Sequence, residues 1–474
     1  MLSSEDNSAQ PATGTAAVPL TARIIPPDQH QITLAMLDRD ALFVLKKLRD
    51  AGFSGYLVGG GVRDLYLGKI PKDFDISTDA RPGQLRRLFP HSNTIGRRFR
   101  LVQVFFRGGK TIEVSTLRSL SEHDLDGPEE VLAPNNTFGT LSEDARRRDL
   151  TINSLFFEIN GATIIDYVNG IDDLDQAIIR IVGEPAKRIA RDPVRILRAI
   201  RHAARNGFSI EARTWQAITA NCEKLTLCPT SRLRDELFKD LSGGAAGPWL
   251  ELALDSGVFL TLFTLYQPAF SETGAAALRS QLLNLGHGID RLNRRGSRQP
   301  DYLLLALVLI PWADWRYQLF SKARPSPQLF QLGRDIRSEI DAGLGLQLNL
   351  SRALRQEMVG ILINLAQLLH LRQQHGWPKW LRKKSYFKRG LLLYHLYLEA
   401  TTGAPLPEDL FPADTEEPAG KHSQDRLPGQ RRPQFEAPVH RELQPAKHSA
   451  ETSPRKRPAL ASSRKGGIFG LKKK

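Results

Sequence analysis

Two aspartates separated by a single residue, Asp73 and Asp75, follow shortly after a run of three glycines. On a strand, residues two apart point to the same face, so the two carboxylates would lie side by side. Neighbouring carboxylates repel each other unless a cation lies between them, and Mg²⁺ binds such oxygens together with substrate phosphates. The spacing therefore predicts a magnesium site for phosphoryl or nucleotidyl transfer. The alternative is a solvated Asp-x-Asp turn.

The three glycines, Gly59, Gly60 and Gly61, stand between a predicted strand at residues 56–58 and a predicted helix at residues 62–67. Glycine removes the side chains that would keep backbone N–H groups away from a phosphate. The positive end of the following helix would favour the same anion. Arg63, just inside this helix, can neutralise a triphosphate oxygen, and Asp64 is expected to pair with an arginine.

A third carboxylate is expected beside the first two. Glu113, on a predicted strand, is the best local candidate as a metal ligand, and the alternative is an exposed strand residue. In the segment 143–153, Arg148 and Asp149 are predicted to face a phosphate or a ribose. A surface ion-pair cluster is the alternative there.

Three residues at intervals of three, Asp192, Arg195 and Arg198, would form one stripe on a helix. Asp192 is predicted to cap this helix, with Pro193 in its first turn. A guanidinium beside a carboxylate can recognise the edge of a nucleobase. An amphipathic helix with a charged outer face is the competing interpretation.

The composition favours a polyanionic partner, because the 474-residue chain carries a net charge of +15. Two cysteines, Cys222 and Cys228, argue against a disulfide framework and a structural zinc site. The longest apolar run, residues 302–310, ends at Pro311 and is too short to span a bilayer. We predict a buried helix there, no membrane partner, and a cytoplasmic protein without a signal peptide.

The order of predicted elements indicates an α+β fold, with a mixed sheet and helices first and helices alone afterwards. We predict a disordered segment at 1–27, a catalytic head at 28–170, a helical neck at 171–260, a helical body at 261–402 and a disordered basic tail at 403–474. A polar stretch at 119–136 is predicted to be a mobile loop. The tail is expected to contact RNA phosphates through Arg455, Lys456, Arg457, Lys472, Lys473 and Lys474, unless it is only a solubilising appendage.

These motifs together resemble the bacterial poly(A) polymerase and tRNA CCA-adding enzyme family, class II of the polymerase-β-like nucleotidyltransferases. The resemblance covers about residues 50–210. It implies a polymerase-β-like head in which Gly59, Gly60 and Arg63 bind the triphosphate and Asp73 and Asp75 hold two Mg²⁺ ions. It also implies that Asp149 acts in the active site and that the nucleotide contacts are made by Arg148, Asp192, Arg195, Arg198 and Arg201. Such enzymes select the nucleotide without a nucleic-acid template.

Residues 96–99, Gly-Arg-Arg-Phe, together with the triple glycine and the basic tail, are typical of the poly(A) branch. The resemblance therefore implies transfer of AMP from ATP to RNA 3′ ends, a reaction that promotes RNA decay, by a monomer for which the RNA-decay machinery is a candidate partner. CCA addition to tRNA is the first alternative, and a non-catalytic RNA-binding protein on the same scaffold is the second. Three departures from the family pattern are Arg191 in place of Glu, His202 in place of Phe and Asn169 in place of Gly.

Overall fold

The computed structural model describes residues 21–96, 101–119, 137–294, 299–322, 324–372, 377–405 and 407. Three predicted features lie wholly or mostly outside these residues: residues 97–99 of the Gly-Arg-Arg-Phe stretch, the polar loop at 119–136 except for residue 119, and the basic tail beyond residue 407. The chain divides into a unit Met1–Phe411 and a unit Pro412–Lys474, and all described residues belong to the first.

The described chain has ten strands and nineteen α-helices. The strands are β1 Arg23–Ile25, β2 Gly55–Val58, β3 Asp75–Thr78, β4 Ser92–Ile95, β5 Leu101–Phe105, β6 Thr111–Thr116, β7 Phe156–Glu158, β8 Thr163–Asp166, β9 Ile178–Ile179 and β10 Ser209–Ile210. The helices of the head and neck are α1 Arg39–Asp50, α2 Gly60–Tyr66, α3 Pro82–Leu88, α4 Leu141–Arg147, α5 Gly170–Asp175, α6 Pro185–Arg191, α7 Val194–Asn206, α8 Ala212–Asn221, α9 Thr230–Leu241 and α10 Ala246–Asp255. The remaining helices are α11 Val258–Leu262, α12 Gln267–Phe270, α13 Ala275–Arg294, α14 Asp301–Tyr317, α15 Ser326–Ala342, α16 Leu344–Gln347, α17 Arg352–Arg372, α18 Lys379–Arg382 and α19 Phe387–Thr402.

The head is one eight-stranded mixed sheet in the order β1-β8-β7-β2-β3-β6-β5-β4. Its single parallel pair is β3 with β6, and every other neighbouring pair is antiparallel. Side chains alternate between the two faces of the sheet. Leu57, Ile76 and Val114 point to one face and are fully buried in the main core, to which Val44 and Leu48 of α1 also belong. The opposite face therefore carries Asp75 and the residues in register with it.

The predicted secondary structure is wrong in two places. Residues 1–27 were expected to be disordered, but Arg23–Ile25 forms β1 and pairs with β8 in the register Arg23↔Asp166. The neck was expected to be all-helical, but Ser209–Ile210 forms a short parallel pair with Ile178–Ile179. These three strands are only two or three residues long, so periodicity could not reveal them. Pairing with a partner distant in sequence creates them.

The hairpin between β5 and β6 turns at Gly108 and Gly109, as the sequence predicts. Both residues have positive φ, 78° and 80°, a conformation that glycine adopts without steric penalty. The predicted strands at 155–159 and 163–167 are also confirmed, as β7 and β8.

The helical body contains the predicted buried helix, α14, in which residues 303–313 are all buried. Pro311 lies inside this helix rather than ending it. Proline lacks an N–H and disrupts the helical hydrogen bonds around it. Here the Tyr266 hydroxyl donates to the Val308 carbonyl at 2.6 Å and accepts from the Trp312 N–H at 3.0 Å, so it bridges the interrupted turn. No helix of the described chain is long and apolar enough to cross a membrane.

Candidate functional site

The glycine turn connects β2 to α2 and packs against the segment that carries Asp73. Gly59 has φ 68° and ψ −131°, a left-handed conformation that favours glycine. A Cβ atom on Gly61 would lie 3.5 Å from the Asp73 carbonyl oxygen, and one on Gly59 would lie 3.5 Å from Nη1 of Arg148. The turn therefore brings a backbone without side chains next to the main chain of Asp73 and to the predicted nucleotide-binding arginine.

Asp75 and Glu113 occupy matching positions on the parallel strands β3 and β6. Ile76 is in register with Val114, which puts Asp75 opposite Glu113 on the site face. The prediction that both aspartates lie on a strand is wrong, because β3 begins at Asp75 and Asp73 precedes it. Glu113 also accepts a hydrogen bond from Nε2 of Gln103 at 3.1 Å.

The Asp75 carboxyl is surrounded by negative charge. Desolvation by the surrounding chain, together with repulsion from Glu113 and Asp73, raises its pKa to about 6, although Arg148 opposes this shift. Asp75 is nevertheless exposed to solvent, so its oxygens can reach a ligand.

The three carboxylates predicted to bind magnesium do not converge into a complete metal site. Within the described ranges, no three His, Cys, Asp or Glu side chains converge tightly enough to hold a metal ion. The donor set nevertheless fits Mg²⁺, because hard carboxylate oxygens from Asp73, Asp75 and Glu113 repel one another until a cation screens them.

Arg148 lies on the site face between the glycine turn and the sheet. Its Nη2 donates to Ser77 Oγ at 3.0 Å and to Asp144 Oδ2 at 2.9 Å, and its guanidinium lies 5.0 Å from the centre of the Phe156 ring. The guanidiniums of Arg148 and Arg147 outweigh the effect of burial and lower the pKa of Asp144. Asp144 is therefore ionised and holds Arg148 in place, while Nη1 of Arg148 faces Gly59.

Arg63 is less open than the sequence predicts. Its side chain is only 10% exposed. Nε and Nη2 donate to Asp64 Oδ1 at 2.9 and 2.7 Å, and Nη1 donates to Asn153 Oδ1 at 2.6 Å. The expected pairing of Asp64 with an arginine is thus confirmed, with Arg63 itself. Nη2 lies 3.4 Å from the place where a Cβ on Gly60 would stand, so its remaining hydrogen is near the turn.

Asp149 faces the neck helix α7. Nε of Arg198 donates to its Oδ2 at 2.5 Å, and the Leu150 N–H donates to its Oδ1 at 2.9 Å. Burial alone would raise the pKa of Asp149, but the positive field of Arg198 and its neighbours lowers it well below the usual range. The structure therefore pairs Asp149 with a nucleotide-binding candidate. Its pKa reflects the cations of α7, whereas that of Asp75 reflects the carboxylates of the sheet.

Two arginines of the neck hold the backbone of the head. Nη1 of Arg195 donates to the Arg148 carbonyl at 3.1 Å, and Nη2 of Arg188 donates to the same oxygen at 2.8 Å and to the Arg147 carbonyl at 2.6 Å. These bonds fix the position of Arg148 relative to α7.

The prediction that Asp192 caps α7 is wrong. Pro193 occupies the cap position without a side-chain hydrogen bond. Both Asp192 oxygens instead accept from Arg232 of α9, at 2.7 and 2.9 Å. A fork of two parallel hydrogen bonds fixes the plane of the carboxylate, so α9 orients the residue expected to contact the base.

Arg201 lies away from the open site, contrary to its predicted place beside the nucleotide. It is 7% exposed and donates to Glu236 and Asp240 of α9. The guanidinium of Arg201, with Lys239, outweighs burial and lowers the pKa of Glu236 to about 2. In this structure Arg201 joins two neck helices.

Four participating residues were missed: Asp144, Asn153, Arg188 and Arg232. Asp144 and Asn153 lie inside the segment 143–153, so their position beside Arg148 was a usable signal. Nothing in the local sequence marks Arg188 or Arg232, whose partners lie about 40 residues away.

This fold and site define a nucleotidyltransferase head followed by a helical body, and comparisons with known proteins agree. Residues 55–180 match the model "Poly A polymerase head domain", and residues 207–271 match "Probable RNA and SrmB- binding site of polymerase A". Poly(A) polymerase I from Salmonella typhi is 38% identical over 319 residues, covering 66% of this chain and 68% of that protein. A CCA-adding enzyme from Lactobacillus helveticus is 40% identical over 217 residues, covering 46% of this chain and 53% of that enzyme.

A crystal structure of the Bacillus stearothermophilus CCA-adding enzyme in complex with CTP is similar with a TM-score of 0.57 and 26% identity, covering 77% of this chain and 78% of that one. The chain belongs to the family of poly(A) polymerases and CCA-adding enzymes. Membership of this family supports nucleotidyl transfer to RNA 3′ ends. The similar proteins include both poly(A) polymerases and CCA-adding enzymes.

Proposed function

We propose that the protein is a template-independent polynucleotide adenylyltransferase that adds AMP from ATP to RNA 3′ ends. The observation that carries the proposal is the grouping of Arg148, the glycine turn and the Asp75–Glu113 pair on one face of the sheet. Similarity to poly(A) polymerase I over 68% of that protein's length favours adenylation. The proposal includes action as a cytoplasmic monomer on RNAs that are thereby directed to decay.

In the proposed reaction the RNA 3′ hydroxyl attacks the α-phosphorus of ATP. A bond forms between this oxygen and phosphorus, the bond to the β-phosphate bridging oxygen breaks, and pyrophosphate leaves as the hydroxyl proton passes to solvent. The backbone of the glycine turn and Nη1 of Arg148, which lies beside Gly59, would face the triphosphate. Asp192, held by Arg232, and Arg198, held by Asp149, would lie towards the base.

Asp73, Asp75 and Glu113 would hold Mg²⁺ in this reaction. When bound, the metal activates the attacking hydroxyl and stabilises the charge on the leaving pyrophosphate. Asp73 precedes β3, Asp75 begins β3 and Glu113 lies beside it on β6, so the three carboxylates would hold the ion on the face that carries Arg148.

CCA addition to tRNA is a second candidate, favoured by the similarity to CCA-adding enzymes in sequence and in structure. Purified protein with Mg²⁺ would be offered each nucleotide separately, on a generic oligoribonucleotide and on a tRNA ending before its CCA. Long products from ATP alone on the generic RNA are expected. Two CTP additions and one ATP addition confined to the tRNA would instead establish CCA addition. No incorporation on either acceptor would favour the non-catalytic RNA-binding alternative.

The metal assignment is tested by Asp75→Ala, with Glu251→Ala as the control because Glu251 is an exposed carboxylate on α10. We expect incorporation to fall at least a thousand-fold in Asp75→Ala with unchanged thermal unfolding. Turnover within ten-fold of the wild type would contradict the assignment.

A further inference from the structure

His202 of α7 is half-buried against the glycine-turn helix α2, and it has been given no role above although it contacts two residues of the site. Its Nδ1 lies 3.2 Å from Nη1 of Arg63, and its Nε2 lies 3.4 Å from Nδ2 of Asn153. It is also one of the three positions at which the sequence departs from the family pattern. The contacts cross from the neck to the head.

The chemistry of the neighbours fixes the protonation of the imidazole ring. A guanidinium only donates hydrogen bonds, so Nδ1 of His202 must be the acceptor and the proton sits on Nε2. Asn153 Oδ1 already accepts from Nη1 of Arg63 at 2.6 Å, which directs the Asn153 Nδ2 donor at His202 Nε2. Two donors facing each other form no hydrogen bond. The bond to Arg63 is therefore the one that holds the ring.

The surroundings keep this imidazole neutral. Burial, with the positive charges of Arg63, Arg198 and Arg201 and against the attraction of Asp149, lowers the pKa of His202 to about 3. At neutral pH the ring can accept a hydrogen bond, which a protonated ring could not do.

Arg63 thus has two acceptors for Nη1, one from the head and one from the neck. Its Nε and Nη2 are held by Asp64, and the one remaining hydrogen on Nη2 lies beside Gly60. If the guanidinium pivoted about the hydrogen bonds of Nη1, the remaining hydrogen on Nη2 would move relative to the turn. The His202 acceptor limits this rotation.

We propose that His202 is a positioning residue that sets the orientation of Arg63 beside the glycine turn and so tunes the affinity for the nucleotide triphosphate. The proposal rests on the proposed function for the identity of the ligand. It goes further in assigning a role to a side chain that replaces the phenylalanine typical of the family.

The test uses three substitutions in the full-length protein. His202→Asn places an amide oxygen close to the Nδ1 position and keeps an acceptor for Arg63. His202→Gln carries its amide closer to the Nε2 position, and His202→Phe removes the acceptor while keeping a ring. Dissociation of ATP would be measured by titration calorimetry without RNA, and KM and kcat for ATP in the incorporation assay.

We expect Kd and KM for ATP to rise three- to ten-fold in His202→Phe and His202→Gln, to remain within two-fold in His202→Asn, and kcat to change less than two-fold in all three. Equal Kd values in the Asn and Gln variants, or an unchanged Kd in His202→Phe, would overturn the proposal. The Asn–Gln comparison stands even if His202→Phe fails to fold. Because Kd is measured without turnover, it is independent of which nucleotide-transfer activity the protein has.

A second, independent observation concerns the end of the helical body. Between Glu357 and Glu399 the sequence has no aspartate or glutamate. Six exposed cations crowd around α18 and the start of α19: Lys379, Arg382, Lys383, Lys384, Lys388 and Arg389. None of the six forms an ion pair with a described residue, and Trp380 among them is 55% exposed.

Cations without internal carboxylate partners attract polyanions, and an exposed indole can stack on an unpaired base. We infer that this surface, residues 379–389, binds single-stranded RNA. It deepens the proposed function by placing part of the acceptor RNA on the ordered body rather than only on the basic tail.

The salt dependence of binding tests this surface. Binding of a labelled single-stranded oligoribonucleotide would be measured without ATP for Lys383→Ala/Lys384→Ala and for the control Arg39→Ala/Lys46→Ala, which removes two exposed cations of α1. The first variant should flatten the plot of log K against log salt by about 1.4, because each lysine that neutralises a phosphate contributes roughly 0.7 to the slope. Trp380→Ala should weaken binding on the order of ten-fold without changing the slope.

Equal slopes in the two double variants would overturn the inference. So would a Lys383→Ala/Lys384→Ala variant that still binds RNA as the wild type does but no longer binds phosphatidylserine vesicles. Because no nucleotide is added in this assay, the surface can fail while adenylation stands, and adenylation can fail while the surface stands.

Discussion

The head–neck boundary and the helical body are held together by different forces. At the boundary, charged side chains meet across elements distant in sequence, as in the pairs of Arg198 with Asp149 and of Asp192 with Arg232. In the body, α14 buries an unbroken apolar segment. Apolar burial is non-directional, whereas a hydrogen-bonded ion pair fixes distance and angle. The difference indicates that the boundary is built for position and the body for cohesion.

This difference has an energetic side. Buried ion pairs lose hydration, so their net contribution to stability is small, but removing one partner leaves an uncompensated charge. Apolar burial contributes about 25 cal/mol for each Å² removed from water. Variants at the boundary should therefore affect ligand binding, and should affect stability where one partner of a buried pair is removed. Variants in the apolar core of the body, such as those beside α14, should affect stability alone.

The largest effect is expected at the buried charge cluster of the neck. Arg201→Met removes the guanidinium shared by Glu236 and Asp240, leaving two buried carboxylates without it. The free energy of unfolding should fall by about 3 kcal/mol or more, measured by urea denaturation. Arg234→Met, which removes a partly exposed arginine paired with Asp235 of the same helix, is the control and should change stability by less than about 0.5 kcal/mol. A decrease below about 1 kcal/mol in Arg201→Met would contradict the view of Arg201 as a structural link.

In the body, Tyr266→Phe should be the most informative single-atom change. It removes the hydroxyl that bridges the Val308 carbonyl and the Trp312 N–H next to Pro311, and both groups are buried. Unfolding free energy should fall by about 1–3 kcal/mol while KM for ATP stays unchanged. Tyr386→Phe serves as the matched control, and a shift in KM without loss of stability would break the proposed division between the two regions.

Nucleotide selectivity should respond to α9. Arg232→Met frees Asp192 from its two hydrogen bonds and should change the ratio of kcat/KM for ATP over CTP by about ten-fold, equivalent to about 1.4 kcal/mol. Arg213→Met, an exposed neck arginine on α8, should leave the ratio unchanged. An unchanged ratio in Arg232→Met would mean that Asp192 does not contact the base.

The smallest effect is expected in the pH dependence of stability. The pKa of Asp149 is lowered in the folded protein, so its pairing with Arg198 contributes stability fully above the unfolded value of about 3.9 and loses it as the pH falls below that value. Asp149→Asn should therefore be less stable than the wild type at pH 6. This difference should shrink by up to about 1.4 kcal/mol for each pH unit below about 4. A difference that is constant from pH 6 to pH 3 would contradict the ion pair.

The sequence alone determined the local features that depend on one residue's own geometry. The turn at Gly59 needs positive φ, the hairpin at Gly108 and Gly109 needs the same, and the apolar run at 302–310 had to be buried. The α+β order and the site candidates of the head also followed from patterns within short windows. The roles of the individual site residues stay predictions.

Only the tertiary structure decided which groups meet. Arg63 was expected to face a phosphate, yet it is bound by Asn153 and His202, which lie 90 and 139 residues away. Arg201 was expected beside the nucleotide, yet it lies between helices α7 and α9. A guanidinium has the same five donors wherever it lies, and its sequence neighbours do not say which acceptors will be near. The packing of the neck against the head makes that choice, because buried donors must be satisfied by whatever acceptors the fold brings within reach.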